Sequence, residues 1–319
     1  MNEKLYQDLM AEIWKMFPKK SVMIDTLAEM LKIEKGAVYR RIRQEVPFTF
    51  NEIAIIAKYL NISLDSIVGI ERVKSAPFQM GLPNFVSPQE EDYYILDIYL
   101  KHLRSINTLE NSEAATITNV LPQDLFSEFQ YLILFYLFVW NYHYSSEQVK
   151  PYHQISTSPR IYKYMKDYML EMKKFNKTCF VFDSRMFQLF VERVNYFNSI
   201  RMIEREDVLK IKEDLFSFMD YLEKIAITGQ FKETGNDVNL YISDIDVTTS
   251  YTYWGAQNTH VSMVKAFVLS YVTSYDERTF EKMKKWIQSL IKISTLITLT
   301  NERQRVLYFE KQRKIINEL

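Results

Sequence analysis

Residues 27–43 read Leu-Ala-Glu-Met-Leu-Lys-Ile-Glu-Lys-Gly-Ala-Val-Tyr-Arg-Arg-Ile-Arg. Leu27, Ala28, Leu31, Ile33, Val38 and Ile42 fall where two short helices must close on each other, with Ala28 as the small residue at the crossing. The triplet Lys32-Ile33-Glu34 interrupts the apolar period, so the spacing predicts a helix ending at Leu31, a tight turn, and a second helix from Lys35 to Gln44. Val38 and Ile42 are one turn apart and bury the inner face of that second helix. Lys35, Gly36, Tyr39, Arg40 and Arg43 are left outside.

The basic residues Lys32, Lys35, Arg40, Arg41 and Arg43 crowd this segment against the single acid Glu34. Phosphates attract cations regardless of sequence, whereas an arginine can also bond two acceptors on a guanine edge in the major groove. Arg40 and Arg43 are therefore the expected base readers. Arg41, about 100° around the helix from Arg40, is expected on phosphate or sugar, and Tyr39 on a thymine methyl or a phosphate.

Outward from this stretch, Leu5, Leu9 and Ile13 mark an earlier helix that stops before Pro18. Thr49 and Glu52 have the spacing of a capping box ahead of Ile53, Ile56, Ala57 and Leu60. Ser63 is placed to cap a fifth helix carrying Leu64, Ile67 and Val68, with Gly69 ending it. The whole, residues 1–70, is an all-α module. Its buried pattern at residues 27–42, together with residues 53–60 and Asn61-Ile62-Ser63-Leu64-Asp65-Ser66-Ile67-Val68-Gly69, resembles the phage repressor/Cro-type helix-turn-helix family, also known as the xenobiotic-response-element family. That resemblance covers about a fifth of the chain and implies a DNA-binding domain. The chain differs from the family in having Lys32 where glycine usually forms the turn, Glu34 where a serine or threonine usually caps the recognition helix, and Gly36 in that helix's first turn.

Residues 71–91 hold Pro77, Pro83 and Pro88 with Gly81 and read as a stiff linker. Beyond it, residues 92–319 read as a larger, mostly helical domain, with helical periodicity over 89–107, 123–144, 159–175, 184–202 and 206–227. Between 237 and 272 the composition turns to Tyr, Val, Thr and Ile, which predicts a small antiparallel sheet with a turn at Gly255-Ala256-Gln257-Asn258. An amphipathic helix over 301–319 closes the chain and is a candidate dimer surface. No repeat of fixed period links the helices. A helical receptor behind a repressor-type domain is similar to peptide-sensing regulators, although those carry such a repeat.

Composition narrows the function classes. With 40 basic and 40 acidic residues the net charge is zero, so a nucleic-acid site must be a local patch. The apolar run 131–140 is half of the ~20 residues a bilayer helix needs, and residues 1–14 lack a signal-peptide pattern. One cysteine, Cys179, fits a reducing compartment. His102, His143, His153 and His260 are isolated, so no metal site is expected. His143, between Tyr142 and Tyr144, reads as a structural histidine ahead of a pH sensor. Six scattered glycines write neither a P-loop nor a dinucleotide fingerprint, and no GxSxG elbow occurs. The aromatics of 131–144 and 180–197 read as core ahead of pocket, and Asp244 with Asp246 as the polar face of an edge strand or the turn that follows it. The resulting expectation is a cytoplasmic, non-enzymatic transcription regulator without cofactor. It binds double-stranded operator DNA as a homodimer and takes a small-molecule or peptide effector. The alternative is a protein-interaction scaffold or antitoxin-like adaptor that keeps the helical module without reading DNA.

Overall fold

In the computed structural model, which describes residues 3–17, 19–60, 62, 64, 67, 77–144 and 149–319, the chain separates into two units, Met1–Pro77 and Phe78–Leu319. The first contains α1 (Glu3–Lys15), α2 (Lys20–Leu31), α3 (Lys35–Ile42) and α4 (Phe50–Leu60). Tyr6, Leu9 and Ile13 from α1, Met23, Ile24 and Leu27 from α2, Val38 from α3, Phe48, and Ile56 from α4 share one buried core. Each such side chain, taken from water, contributes on the order of 1.5–3 kcal/mol. The fifth helix expected from Ser63 to Gly69 lies outside the described residues, except that Leu64 and Ile67 pack on this core. The capping box forms as its spacing predicts. Thr49 N–H donates to Glu52 Oε2 at 2.8 Å, and Glu52 N–H donates to Thr49 Oγ1 at 3.3 Å.

The second unit is built on a sheet larger than the sequence pattern suggested. Its strands are β1 (Gln79–Met80), β2 (Glu113–Thr118), β3 (Lys177–Asp183), β4 (Asp237–Ser243), β5 (Tyr251–Ala256), β6 (Thr259–Lys265), β7 (Tyr271–Ser274) and β8 (Thr295–Leu296), in the order β1-β7-β6-β5-β2-β3-β4-β8. The central β2, β3 and β4 run parallel. The remaining pairs are antiparallel. The small antiparallel sheet expected at 237–272 is thus half of a mixed sheet. Strands β2 and β3 were not anticipated because, buried on both faces, they lack the apolar/polar alternation of a half-exposed strand. The expected hairpin between β5 and β6 is present, with Gln257 at φ 51° in its two-residue loop.

The helices are α5 (Glu90–Asn107), α6 (Gln123–Phe126), α7 (Gln130–Tyr144), α8 (Pro159–Met172), α9 (Met186–Ser199), α10 (Arg205–Thr228), α11 (Glu277–Ile293) and α12 (Glu302–Ile316). They cover both sheet faces. Ala115, Ile117, Val181 and Tyr253 meet Phe280 and Ile287 of α11 on one face. On the other, Phe180, Phe182, Leu240 and Ile242 meet side chains of α7, α9 and α10. Farther along that face, Ala114, Trp254 and Met263 pack with Leu100 and Leu103 of α5 and Met172 of α8. The aromatics of α7 mostly fill core, with Phe135 and Phe190 at 4.7 Å between ring centroids and Phe138 and Phe197 at 4.8 Å.

The second half of the Pro-rich stretch is no free linker but a strap belonging to the second unit. Its β1 pairs with β7, Phe85 is buried, and Asn84 N–H donates to Asp92 Oδ1 at 2.8 Å. Helix α12, the candidate dimer surface, packs Tyr308, Phe309 and Ile316 inside the unit and leaves Val306 and Leu307 exposed. It is clamped there by Arg313, which pairs with Asp220 and Glu223 at 2.6 and 2.7 Å.

Candidate functional site

Helix α2 ends where its apolar period ends, and Lys32 takes the turn at φ 54°, ψ 43°. Lys32 N–H donates to the Glu29 carbonyl and Ile33 N–H to the Ala28 carbonyl at 3.1 Å. These two bonds form a Schellman motif, which satisfies the orphan carbonyls of the helix end. Lysine carries out the task usually given to glycine and bears the strain of a Cβ in the left-handed region, on the order of 1–2 kcal/mol. Glu34 stands at the N-cap of α3 in extended conformation without a side-chain cap bond. Its carbonyl accepts from Ala37 N–H at 2.9 Å. A Cβ on Gly36 would meet nothing within 4 Å. Packing inside the unit therefore does not explain a glycine at this exposed point of the first turn.

Lys35, Gly36, Tyr39 and Arg40 are exposed on α3, and Arg43 is exposed just past its end, while Val38 is fully buried. The outward face is therefore the one the spacing predicts. Arg40 makes no ion pair with any described residue. Lys35 Nζ lies 2.7 Å from Asp25, both side chains more than half exposed, and Arg43 lies 3.8 Å from Glu45. Such solvated pairs are worth about 0–1 kcal/mol and yield readily to a competing anion. Lys20 sits 5.5 Å over the Tyr39 ring and adds a cation to the same side.

Arg41 has a different role from the one its sequence position suggested. Its guanidinium turns inward and grips Glu52 through Nε at 3.0 Å and Nη2 at 2.7 Å, while Nη1 donates to the Ala37 carbonyl at 3.2 Å. Its own carbonyl accepts a hydrogen bond from Tyr6 Oη. Burial pushes the Glu52 carboxyl up, but the bonds from Arg41 and Thr49 outweigh this and hold it below the ordinary range. Arg41 thus positions α3 against α4 and α1. The capping box at Thr49 and Glu52 was legible in the sequence, but its second use as an anchor for Arg41 was not.

The second unit holds a cavity of about 760 Å³, its mouth included. The strap contributes Gly81, Pro83 and Phe85; α7 contributes Ile133 and Tyr136; the sheet contributes Trp254. Behind its wall lies a buried polar cluster. Asp124 is bonded to Tyr168 and lies 3.4 Å from Thr116 Oγ1, and burial pushes its carboxyl up to about 6. Lys265 Nζ lies 5.7 Å over the Tyr136 ring and 5.8 Å over the Tyr271 ring. Burial pushes that ammonium down to about 7, against the pull of Asp124. Neither residue stood out in the sequence, where they are 141 positions apart, and only the fold brings them together.

Of the pairs weighed in the sequence, Asp246 is an exposed partner of Arg185 at 2.6 Å. Arg160 is held by Glu90 and Asp97. Among the described residues no group of three or more His, Cys, Asp or Glu could hold a metal ion, and no helix is long and apolar enough to cross a membrane. No family model, curated protein or solved structure matches the chain.

Proposed function

We propose that the chain is a sequence-specific DNA-binding transcription regulator, in which the first unit reads an operator through the outer face of α3 and the second dimerises and senses an effector. The observation that carries this reading is the α2–Lys32–α3 corner, with an apolar inner face and with Lys35, Tyr39, Arg40 and Arg43 exposed outside. A helix so exposed at the end of such a corner has the form that enters a major groove. Arg40 and Arg43 read base edges, and Lys35 and Tyr39 meet the backbone. Gly36 supports the same geometry. A glycine with open space around it lets a phosphate backbone approach closely. One recognition helix reads only a few base pairs, so the functional form is a homodimer on two half-sites about 34 Å apart.

The interaction-scaffold reading draws support from the Lys35–Asp25 and Arg43–Glu45 pairs, which also suit a merely solvated face. Selection from a random-sequence duplex pool by the full-length protein separates the two. A regulator enriches an inverted repeat, and its affinity falls steeply with salt. Arg40→Ala and Arg43→Ala each reduce preference for the selected site by about 1–3 kcal/mol. Failure to shift any duplex at low salt sinks the proposal.

A further inference from the structure

Small-molecule sites are concave and mostly apolar with a few placed polar groups, and the cavity of the second unit has that form. What distinguishes it is its lining. Five tyrosines, Tyr99, Tyr136, Tyr164, Tyr168 and Tyr271, face it together with Phe85, Phe126 and Trp254, and no Asp, Glu, Lys, Arg or His is among the lining residues. A charged ligand entering such a site loses its hydration against a lining without charged side chains, Asp124 and Lys265 standing behind the tyrosines. An uncharged aromatic one keeps its affinity, because flat rings stack on tyrosine and tryptophan faces, and Gln123, Ser127 and Ser270 supply neutral hydrogen bonds. The indole N–H of Trp254, another lining residue, has no hydrogen-bond partner among the described residues, and the residue is 1% exposed.

The wall formed by the strap gives the site a second property. A Cβ on Gly81 would lie 2.8 Å from Ile95 Cγ2 and 3.3 Å from Tyr99 Oη, so the strap lies flush on α5 at the cavity's edge. The same strap begins at Phe78, where the second unit begins. Whatever fills the cavity therefore touches the strap at Gly81, Pro83 and Phe85.

We infer that this cavity is the binding site for an uncharged, predominantly aromatic small molecule. As an identification of the effector the inference rests on the regulator reading. As a binding site it rests on the second unit alone. The test titrates the full-length protein with two fluorescent probes of one skeleton, neutral N-phenyl-1-naphthylamine and its anionic relative 8-anilino-1-naphthalenesulfonate. The neutral probe binds saturably at one site per chain, and the anionic one binds at least tenfold more weakly. Met165→Trp, which places an indole in the cavity from α8, lowers affinity for the neutral probe at least tenfold with an unchanged circular dichroism spectrum. Leu269→Trp does the same from the sheet side and serves if the first variant unfolds. Absence of saturable binding, or equal binding of both probes in the parent and both variants, overturns the inference. A chain that binds the neutral probe in this way but shifts no DNA retains the site and loses the regulator reading. A chain that shifts operator DNA but never saturates with the neutral probe loses the site alone.

Discussion

Replacing Arg41 by alanine removes two charge-assisted bonds to Glu52, at 2.7 and 3.0 Å, and one to the Ala37 carbonyl. It also leaves the Glu52 carboxylate, its side chain 14% exposed, without its counter-charge. Charge-assisted bonds contribute about 1.5–3 kcal/mol each, and breaking a fully buried pair costs about 3–5 kcal/mol. The residual exposure of this pair and the surviving capping bonds from Thr49 reduce the figure, so Arg41→Ala destabilises the first unit by about 2–4 kcal/mol. Hydrogen exchange on the full-length chain reads this locally. Amides of α3 and α4 lose about 30- to 700-fold in protection, by the 1.4 kcal/mol per decade relation, while those of the central sheet strands are unchanged. Arg40→Ala, one residue away but outside, stays within about 0.5 kcal/mol of the parent. Glu52→Gln and the double variant close a cycle whose coupling energy is the pair's own share. If Arg41→Ala left exchange unaltered and instead weakened DNA binding as a phosphate contact does, the assignment of Arg41 as a positioning residue would be refuted.

Two further expectations concern the turn and the buried cluster. Lys32→Gly relieves the left-handed strain at φ 54° and, after the entropic cost of glycine, raises the stability of the first unit by about 0.5–1 kcal/mol. A loss of protection in α2 and α3 would contradict that. Burial raises the Asp124 carboxyl from its ordinary 3.8 to about 6 and lowers the Lys265 ammonium from 10.5 to about 7. Folding therefore favours the protonated acid and the neutral amine. Asp124 makes stability fall as pH rises from about 4 to about 6, and Lys265 makes it rise again between about 7 and 10.5, leaving a minimum near pH 6–7 from this pair. Thermal melts across that range should show the first slope removed by Asp124→Asn and the second by Lys265→Met. Superimposable profiles would refute the assignment.

The parts of this molecule that the sequence made legible are those governed by local period. The helix ends around residues 27–44, the capping box at Thr49 and the hairpin at Gln257 depend on residues within a few positions of one another. Most of the second unit's helices lie close to their expected ranges, as with 159–175 against the observed Pro159–Met172, whereas the stretch expected over 123–144 is broken into Gln123–Phe126 and Gln130–Tyr144. What escaped was long-range. In β3, Thr178, Phe180 and Phe182 are buried toward the larger helical layer while Val181 is buried toward α11, so both faces are packed and no alternation survives to be read. The inward turn of Arg41 escapes the sequence for a related reason. An angle around one helix places a side chain relative to that helix only, and its partner Glu52 arrives from another.

The strap has a consequence for the order in which the protein is made. Its partner β7 lies about 190 residues downstream, and a ribosome adding roughly 5–20 residues per second needs on the order of 10–40 s to reach it. The first unit's helices are complete well before then, and their contacts are short in sequence, which favours fast folding. The strap must wait unpaired until Tyr271–Ser274 emerges, so the wall of the cavity is laid down late, after the module it is joined to has already formed.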